Sequence, residues 1–520
     1  MQSLKDKAKS LATKENLDKA GAAAMKSLDK ARAEFDSADF DYAILISDNS
    51  GLFDVKDKGE AVAKVSSTLN LFSSFTKNEE LSDEEKARFN RESGDIWYGS
   101  GKYALAEKKF VAAKSIYEQA GLTDDLGYLK TISSQGLLYS TMGRFTQAEG
   151  FTVEALEMRK AKFGESNMGV AASYNNYGVL QYNLGNFNES EKDLASSLKI
   201  IRANNMQTTM PYSIVLNNHA MLFQAIGRYE EAEATLKEAI AVAEKLQSSK
   251  SKNHLKFLSN LALLYQQMGK YAEAETIYLG MEKRLGKTST EYASMLNNQA
   301  ALYLVMGKED KVEDLLKRSA SIYKTSLGEE SPAFAKATSD LGNFYRYKAR
   351  YAEAGPLLDK ALVIREKTLG VNHPHYAQSK EDLAILYWKK NEIDKAYTTY
   401  QEVMDKSLDF INRYFPPMSE AEKTKYWDIL SPRFQRFYNF AVEAASGNKN
   451  ILQDLYHYQI ATKALLLNST NKVKTSIYAS GDAQLIKDYV SWIDQKEQLA
   501  RLYAYSKTEL TKHKITLESH

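Results

Sequence analysis

The sequence predicts an all-α repeat solenoid, and three observations carry that prediction. A turn signature recurs at a fixed period, small residues recur at two fixed offsets from it, and one polar residue recurs at a third. The turn reads Gly101-Lys-Tyr103, Gly143-Arg-Phe145, Gly185-Asn-Phe187, Gly227-Arg-Tyr229, Gly269-Lys-Tyr271, Gly307-Lys-Glu309, Ala349-Arg-Tyr351 and Asn391-Glu-Ile393. Successive turns lie 42 residues apart, except that Gly269 and Gly307 are 38 apart. Three residues beyond the aromatic stand Ala106, Ala148, Ser190, Ala232, Ala274, Ala354 and Ala396. Seven before the turn stand Gly94, Gly136, Gly178, Ala220, Ala262, Ala300, Gly342 and Ala384. Small residues at both offsets let two helices approach closely across a short turn, so each period reads as a helix pair, A then B.

The elements follow in chain order. The first thirty residues alternate Lys with Ala and Leu and read as an amphipathic helix, with no apolar core of signal-peptide length. Residues 1–88 are expected to form a helical N-terminal cap, because the end of a solenoid must hide its last apolar face. Ser82 and Glu85 form a capping-box pattern that opens the first clear A helix. Residues 89–405 hold the eight repeats. After Asn391 the signature stops, and 406–520 begin a different helical module. There Pro416 and Pro417 break the chain, and Ser419 with Glu422 caps the next helix. A last helix is expected from about Asp482 to Lys512, with Leu485, Tyr489, Trp492, Leu499 and Leu502 on overlapping faces.

Composition removes several function classes. The chain has 69 Lys+Arg against 67 Asp+Glu, so no global field draws it to nucleic acid or anionic membranes. It has no cysteine, which removes disulfides, thiolate metal sites and thiol nucleophiles, and fits a reducing, cytoplasmic compartment. No eighteen-residue apolar run suggests a membrane span. "GMEKRLGKTS", with Gly280, Gly286, Lys287 and Thr288, misses a phosphate loop: five residues separate the glycines where four are needed, and no strand precedes them. His373 and His375 flank Pro374 but lack a third ligand nearby. Most tyrosines fall at repeat-core offsets, which explains them better than base stacking. No catalytic residue, metal site or cofactor is expected.

Asn176, Asn218, Asn260 and Asn298 all lie nine residues before the turn, and Asp340 and Asp382 continue the series. Asparagine is a poor helix former, so its return at one register position of helix A asks for a reason. A primary amide offers two donors and an acceptor, which matches a peptide bond of any sequence. The competing reason is that the amides bridge neighbouring A helices and bind nothing. The adjacent Asn297 reads as incidental, since its equivalents are Asn175, Asn217 and then Ser259.

The period, turn and small-residue offsets resemble the tetratricopeptide repeat. The 42-residue period and the loop "REKTLGVNHPHYA" resemble its kinesin-light-chain variety. That resemblance implies a right-handed superhelix whose A helices line a concave groove, with the asparagine row facing a bound peptide. Flanking positions would then select side chains, among them Asn183, Gln267, Arg346, Tyr347, Trp388 and Lys389. The middle repeats are apolar to neutral and the last two basic and aromatic, so an acidic group is expected toward repeats seven and eight. The segments "MSEAEKTKYWDIL", "ATKALLLNST" and "ASGDAQLIKDYVSW" resemble the connector of TPR-CHAT proteins, which precedes a caspase-like peptidase domain. On that resemblance the chain is a non-catalytic sensor or regulatory region whose partner is a peptide or protein, with neither nucleic acid nor membrane. The peptidase domain, absent here, would lie beyond residue 520 in a bacterial-type signalling or defence setting. The alternative is a free-standing adaptor with no peptidase link.

Overall fold

The computed structural model of the chain describes residues 82–504, apart from 100, 247–251, 417 and 445–447. The expected N-terminal cap, up to residue 81, lies outside the described residues, as does the last helix beyond Ala504. Among the described residues there is no strand, and the architecture is an all-α repeat solenoid. Its helices are α1 (Asp83–Gly99), α2 (Tyr103–Gln119), α3 (Leu126–Thr141), α4 (Phe145–Phe163), α5 (Met168–Leu184), α6 (Phe187–Ala203), α7 (Met210–Ala225) and α8 (Tyr229–Lys245). Next come α9 (Lys252–Gln267), α10 (Tyr271–Glu282), α11 (Thr290–Val305), a 3-10 turn at Glu309–Lys311, α12 (Val312–Leu327), α13 (Pro332–Tyr347) and α14 (Tyr351–Leu369). The series ends with α15 (Pro374–Lys389), α16 (Ile393–Tyr414), α17 (Glu420–Ala444), α18 (Lys449–Ala479) and α19 (Ala483–Ala504). Through α16, odd helices are A and even helices are B.

Each signature residue has a mechanical role. The turn glycine takes positive φ, 69° at Gly143 and 83° at Gly227, and so closes the A helix. Ala349 and Asn391 adopt the same conformation, φ 56° and 61°, without glycine's freedom. At the A–B crossing, a Cβ on Gly94 would lie 2.5 Å from the Phe110 ring, and one on Gly136 would lie 2.8 Å from Thr152 Oγ1. The small residues opposite, Ala106, Ala148, Ala232 and Ala274, are fully buried.

The chain divides into two compact units: the described part of Met1–Leu180 with Glu191–Leu341 and Val363–His373, and Gln181–Ser190 with Gly342–Leu362 and the described part of Pro374–His520. In the first, the basic residue after the turn glycine joins successive repeats. Arg144 meets Glu107 at 2.6 Å, Arg228 meets Glu191 at 2.9 Å, Lys270 meets Glu233 at 3.0 Å and Lys308 meets Glu275 at 2.8 Å. Each cation also lies over the ring four residues before its glycine: Tyr139, Phe223, Tyr265 and Tyr303. Three donors converge on Glu233, Lys237, Lys270 and Tyr265, and hold its carboxyl down at about 2, with the Lys237 hydrogen bond the largest cause.

The short spacing before Gly307 resides in helix B. α10 has 12 residues where α8 has 17, while the following stretch, 283–289, is not reduced. The Lys308–Glu275 pair survives the deletion, so the staple between repeats is kept.

In the second unit, α17 packs on the last repeat through Phe434, Phe437 and Phe440 against Tyr400 and Met404. Glu381 of α15, fully buried, accepts from Arg433 Nε at 3.0 Å and Arg436 Nε at 2.5 Å. Two guanidiniums on one carboxylate satisfy a charge that burial would otherwise penalise. Both capping boxes form: Glu85 N donates to Ser82 Oγ at 3.2 Å, and Ser419 N donates to Glu422 Oε2 at 2.8 Å. Glu422 Oε1 also accepts from the backbone N–H of Asn188 at 3.1 Å. In α19 the Tyr489 and Trp492 rings lie 5.9 Å apart while Leu485 is exposed; the Leu499 and Leu502 side chains lie outside the described residues.

Candidate functional site

The asparagine row forms a ladder of two columns. Asn218 Nδ2 donates to Asn175 Oδ1 at 2.9 Å, and Asn260 Nδ2 donates to Asn217 Oδ1 at 2.7 Å. Each bond joins the predicted column of one repeat to the preceding residue in the repeat before. Asn175 and Asn217 also donate to Asn176 and Asn218 at 3.3 and 3.4 Å. The second column is therefore structural, which corrects the reading of Asn297 as incidental: its Nδ2 donates to Asp340 Oδ2 at 3.1 Å. Such a pair depends on a contact between adjacent A helices, so a register count within one repeat does not find it.

At Ser259 the ladder breaks. That hydroxyl donates to Met281 Sδ, 3.9 Å away, and does not join the next repeat. The side-chain amide of Asn298, partly buried, makes no hydrogen bond among the described residues. Asn176 and Asn218 keep capacity as well, since an amide has two N–H groups and two lone pairs on its oxygen. Asp340, partly buried, also accepts from Lys336 at 2.8 Å, and Asp382, buried, accepts from Gln378 at 3.2 Å.

Among the flanking residues of the first unit, Gln267 pairs with Gln224 across repeats at 2.8 Å. The others belong to the second unit. Asn183 is partly buried, and Tyr347 is 64% exposed with Lys348 over its ring. Burial pulls the Arg346 guanidinium below its ordinary value, partly offset by Asp382, and it donates to Asn343 Oδ1 at 3.0 Å. Trp388 packs edge-on against Phe440 and donates from Nε1 to Glu443 at 3.0 Å, while Lys389 lies over its indole. Trp388 thus has intramolecular partners that α17 supplies, and nothing in the repeat pattern announces α17.

In the first unit, the amides of Asn175, Asn176, Asn217 and Asn218 line a cavity of about 180 Å³. Arg159 of α4 enters it, only 4% exposed, and donates to Ser133 Oγ at 2.9 Å and Ser173 Oγ at 2.5 Å. Sequence reasoning missed Arg159, Asn253 and Lys256. The signal for Arg159 was present in part: sixteen residues past the turn, repeats one, three and four place the buried Tyr117, Ile201 and Ala243, while repeat seven places a second buried arginine, Arg365. An arginine in a core slot needs a reason. Nearby, His219 stacks on Phe223 at 4.2 Å, and burial lowers its imidazole to about 4. His373 is buried with Nε2 3.1 Å from the Thr141 carbonyl oxygen. Among the described residues no group of three metal-ligating side chains gathers, and no helix is long and apolar enough to cross a membrane.

The tetratricopeptide-repeat family model matches residues 169–245, 211–279 and 333–407. Among solved structures, the kinesin-light-chain TPR-like repeats of Podosopora anserina align over 37% of this chain and 94% of theirs, at 24% identity and a TM-score of 0.31. The Rap conjugation gene regulator of plasmid pLS20, solved with a Phr peptide, covers 64% of this chain and 97% of its own at 13% identity and a TM-score of 0.44. A Rap protein complexed with competence and sporulation factor covers 75% and 98% at 11% identity and a TM-score of 0.43. No curated protein matches the chain.

Proposed function

We propose that this chain is a non-catalytic recognition scaffold that binds an extended peptide or protein segment along its A helices. The observation that carries the reading is the cavity edged by Asn175, Asn176, Asn217 and Asn218: a concave, mainly apolar place whose amides keep donors and acceptors after building the ladder. Tetratricopeptide repeats between 169 and 407 support it, since stacked helix pairs present extended surfaces suited to a chain rather than to a small substrate. Asn176, Asn218, Asn260, Asn298, Asp340 and Asp382 would serve the main chain of the ligand. Asn183, Gln267, Arg346, Tyr347, Trp388 and Lys389 would contact its side chains.

The finer reading places the chain in the cytoplasm as the sensor region of a TPR-CHAT caspase-like peptidase. It rests on the sequence resemblance of 406–520 alone. A free-standing adaptor is the alternative. Coexpression with a candidate caspase-like peptidase domain separates them: peptidase activity that changes with occupancy of the repeats supports the first, and a domain indifferent to the chain supports the second. The scaffold reading itself is tested by selecting displayed peptides on the full chain and titrating the winners by calorimetry. Saturable one-to-one binding weakened by Asn298→Ala is expected; selected peptides that tolerate this change refute the asparagine row as the site.

A further inference from the structure

Resting on the scaffold reading, we infer that the start of α17 is a latch. Docked on the turn between α5 and α6, it holds the end of α5, so that releasing it weakens peptide binding and a bound peptide tightens it. The contact itself lies within the second unit. Glu422 accepts from the backbone N–H of Asn188 at 3.1 Å, while its other carboxylate oxygen accepts from Ser419 N at 2.8 Å. One carboxylate thus closes the capping box of α17 and also serves a backbone N–H in the first turn of α6, where such groups lack helical partners. The Tyr426 ring stacks on Phe187 with centroids 6.5 Å apart, and Phe187 in turn meets Tyr182 of α5 at 6.0 Å. A Cβ on Gly185 would run into the Tyr426 ring and lie 2.9 Å from Met418 Cε, so the docked α17 leaves no room for a side chain at this turn. Met418, Ser419 and Glu422 are all buried.

A departure in sequence falls at the same place. Arg144 and Arg228, in the turns on either side, each pair with a glutamate of the repeat before. The matching position in repeat three is Asn186, which donates to Gln181 Oε1 at 2.7 Å instead. Repeat three therefore gives up its staple at the turn that α17 covers.

Register makes the docking systematic. Within the first unit, a Cβ on Gly101 would lie 3.2 Å from Pro332 Cδ at the start of α13, and the Thr141 carbonyl oxygen lies 3.1 Å from His373 Nε2, just before α15. The sequence separation is 232 residues at Thr141 and 234 at Asn188, so the start of α17 keeps the register that the A helix of a ninth repeat would hold. Only this third contact combines stacked rings with a buried carboxylate.

α5 connects the latch to the groove, since it carries Asn175 and Asn176 in its middle and Tyr182 at its end. Fixing that end removes disorder that a peptide would otherwise have to remove on binding. By linkage the bound peptide favours the docked latch to the same degree.

The test uses the full chain and compares Gly185→Ala with Gly269→Ala. Both glycines hold positive φ, 84° and 74°, in equivalent turns, so both variants strain the backbone. A Cβ at Gly269 meets nothing within 4 Å, so only Gly185→Ala also presses on the latch. Asn188→Pro removes the N–H that Glu422 receives yet keeps α6, because Pro211 already occupies the second position of α7; it decides if Gly185→Ala fails to fold. Hydrogen exchange at 181–190 and 422–426 should lose about tenfold in protection in both latch variants, with native protection there in Gly269→Ala and in α9 of the two latch variants. Display-selected peptides should bind both latch variants about fivefold more weakly than Gly269→Ala, and should raise protection at 422–426 in the wild-type chain. Unchanged protection at 422–426 in both latch variants would overturn the latch. Equal peptide affinity for all three variants would overturn the coupling while the scaffold reading stands. Failure of the scaffold reading looks different: no selected peptide binds even the wild-type chain.

Discussion

Removing the Asn260 amide removes a 2.7 Å hydrogen bond whose acceptor, Asn217, is only 1% exposed. In Asn260→Ala the Asn217 oxygen loses this donor in a dry position, at a cost of about 1–3 kcal/mol. Asn217→Ala strands the other partner at a similar cost. If the two amides act mainly on each other, the double variant costs less than the sum, and the coupling is about 1 kcal/mol. Asn298→Ala is the control: a partly buried amide with no partner among the described residues should change stability by no more than about 0.5 kcal/mol. A repeat array need not unfold in one step, so amide hydrogen exchange within α7, α9 and α11 reads the local effect beside urea unfolding. The reasoning fails if the coupling is below about 0.3 kcal/mol, or if Asn298→Ala destabilises as much as Asn260→Ala.

Other perturbations address the mechanics of the repeats. Ala349 holds φ 56° in a turn where most repeats place glycine, so Ala349→Gly should stabilise by about 1 kcal/mol, seen as a higher urea midpoint. Gly136→Val should destabilise by about 1–3 kcal/mol in the same assay, because its first side-chain atom would already lie 2.8 Å from Thr152 Oγ1. His219 is lowered from 6.5 to about 4 chiefly by burial, so it is neutral in both folded and unfolded chains above pH 6.5. Between pH 6.5 and about 4 only the unfolded chain takes up the proton, and up to about 3 kcal/mol of stability is lost; His219→Phe should flatten that slope. Lys308→Met should cost no more than about 1 kcal/mol, since Lys308 and Glu275 are both partly exposed, and the loss should shrink at high salt.

The fold was legible because every repeat solves one problem with the same residue types. A positive-φ turn, a close helix crossing and a cation over an aromatic ring each constrain local sequence, and their spacing survives in the chain. The 38-residue interval was visible as a number, but its location was not: a loop and a helix end can both lose four residues, and only the length of α10 decides between them. The two-column ladder was half legible. Asn218 and Asn260 stand out by register, while the role of Asn297 depends on Asp340 in the next repeat, a contact set by helix stacking and not by any local pattern. Trp388 shows the limit most plainly. It reads as an exposed groove residue because the repeat says so, yet Phe440 and Glu443 of α17 engage it from a segment that carries no repeat signature.

Asn298 offers the most direct test of the account, because breaking the ladder at Ser259 leaves its amide unbonded among the described residues while its neighbours hold the repeats together. The measurement is the affinity of display-selected peptides for the full chain and for Asn298→Ala, with hydrogen exchange confirming that the repeats remain intact. The account predicts an affinity loss of about tenfold, the effect of one net hydrogen bond, with native exchange protection. Unchanged affinity with unchanged protection would contradict it, and would leave the asparagine row as internal bracing alone.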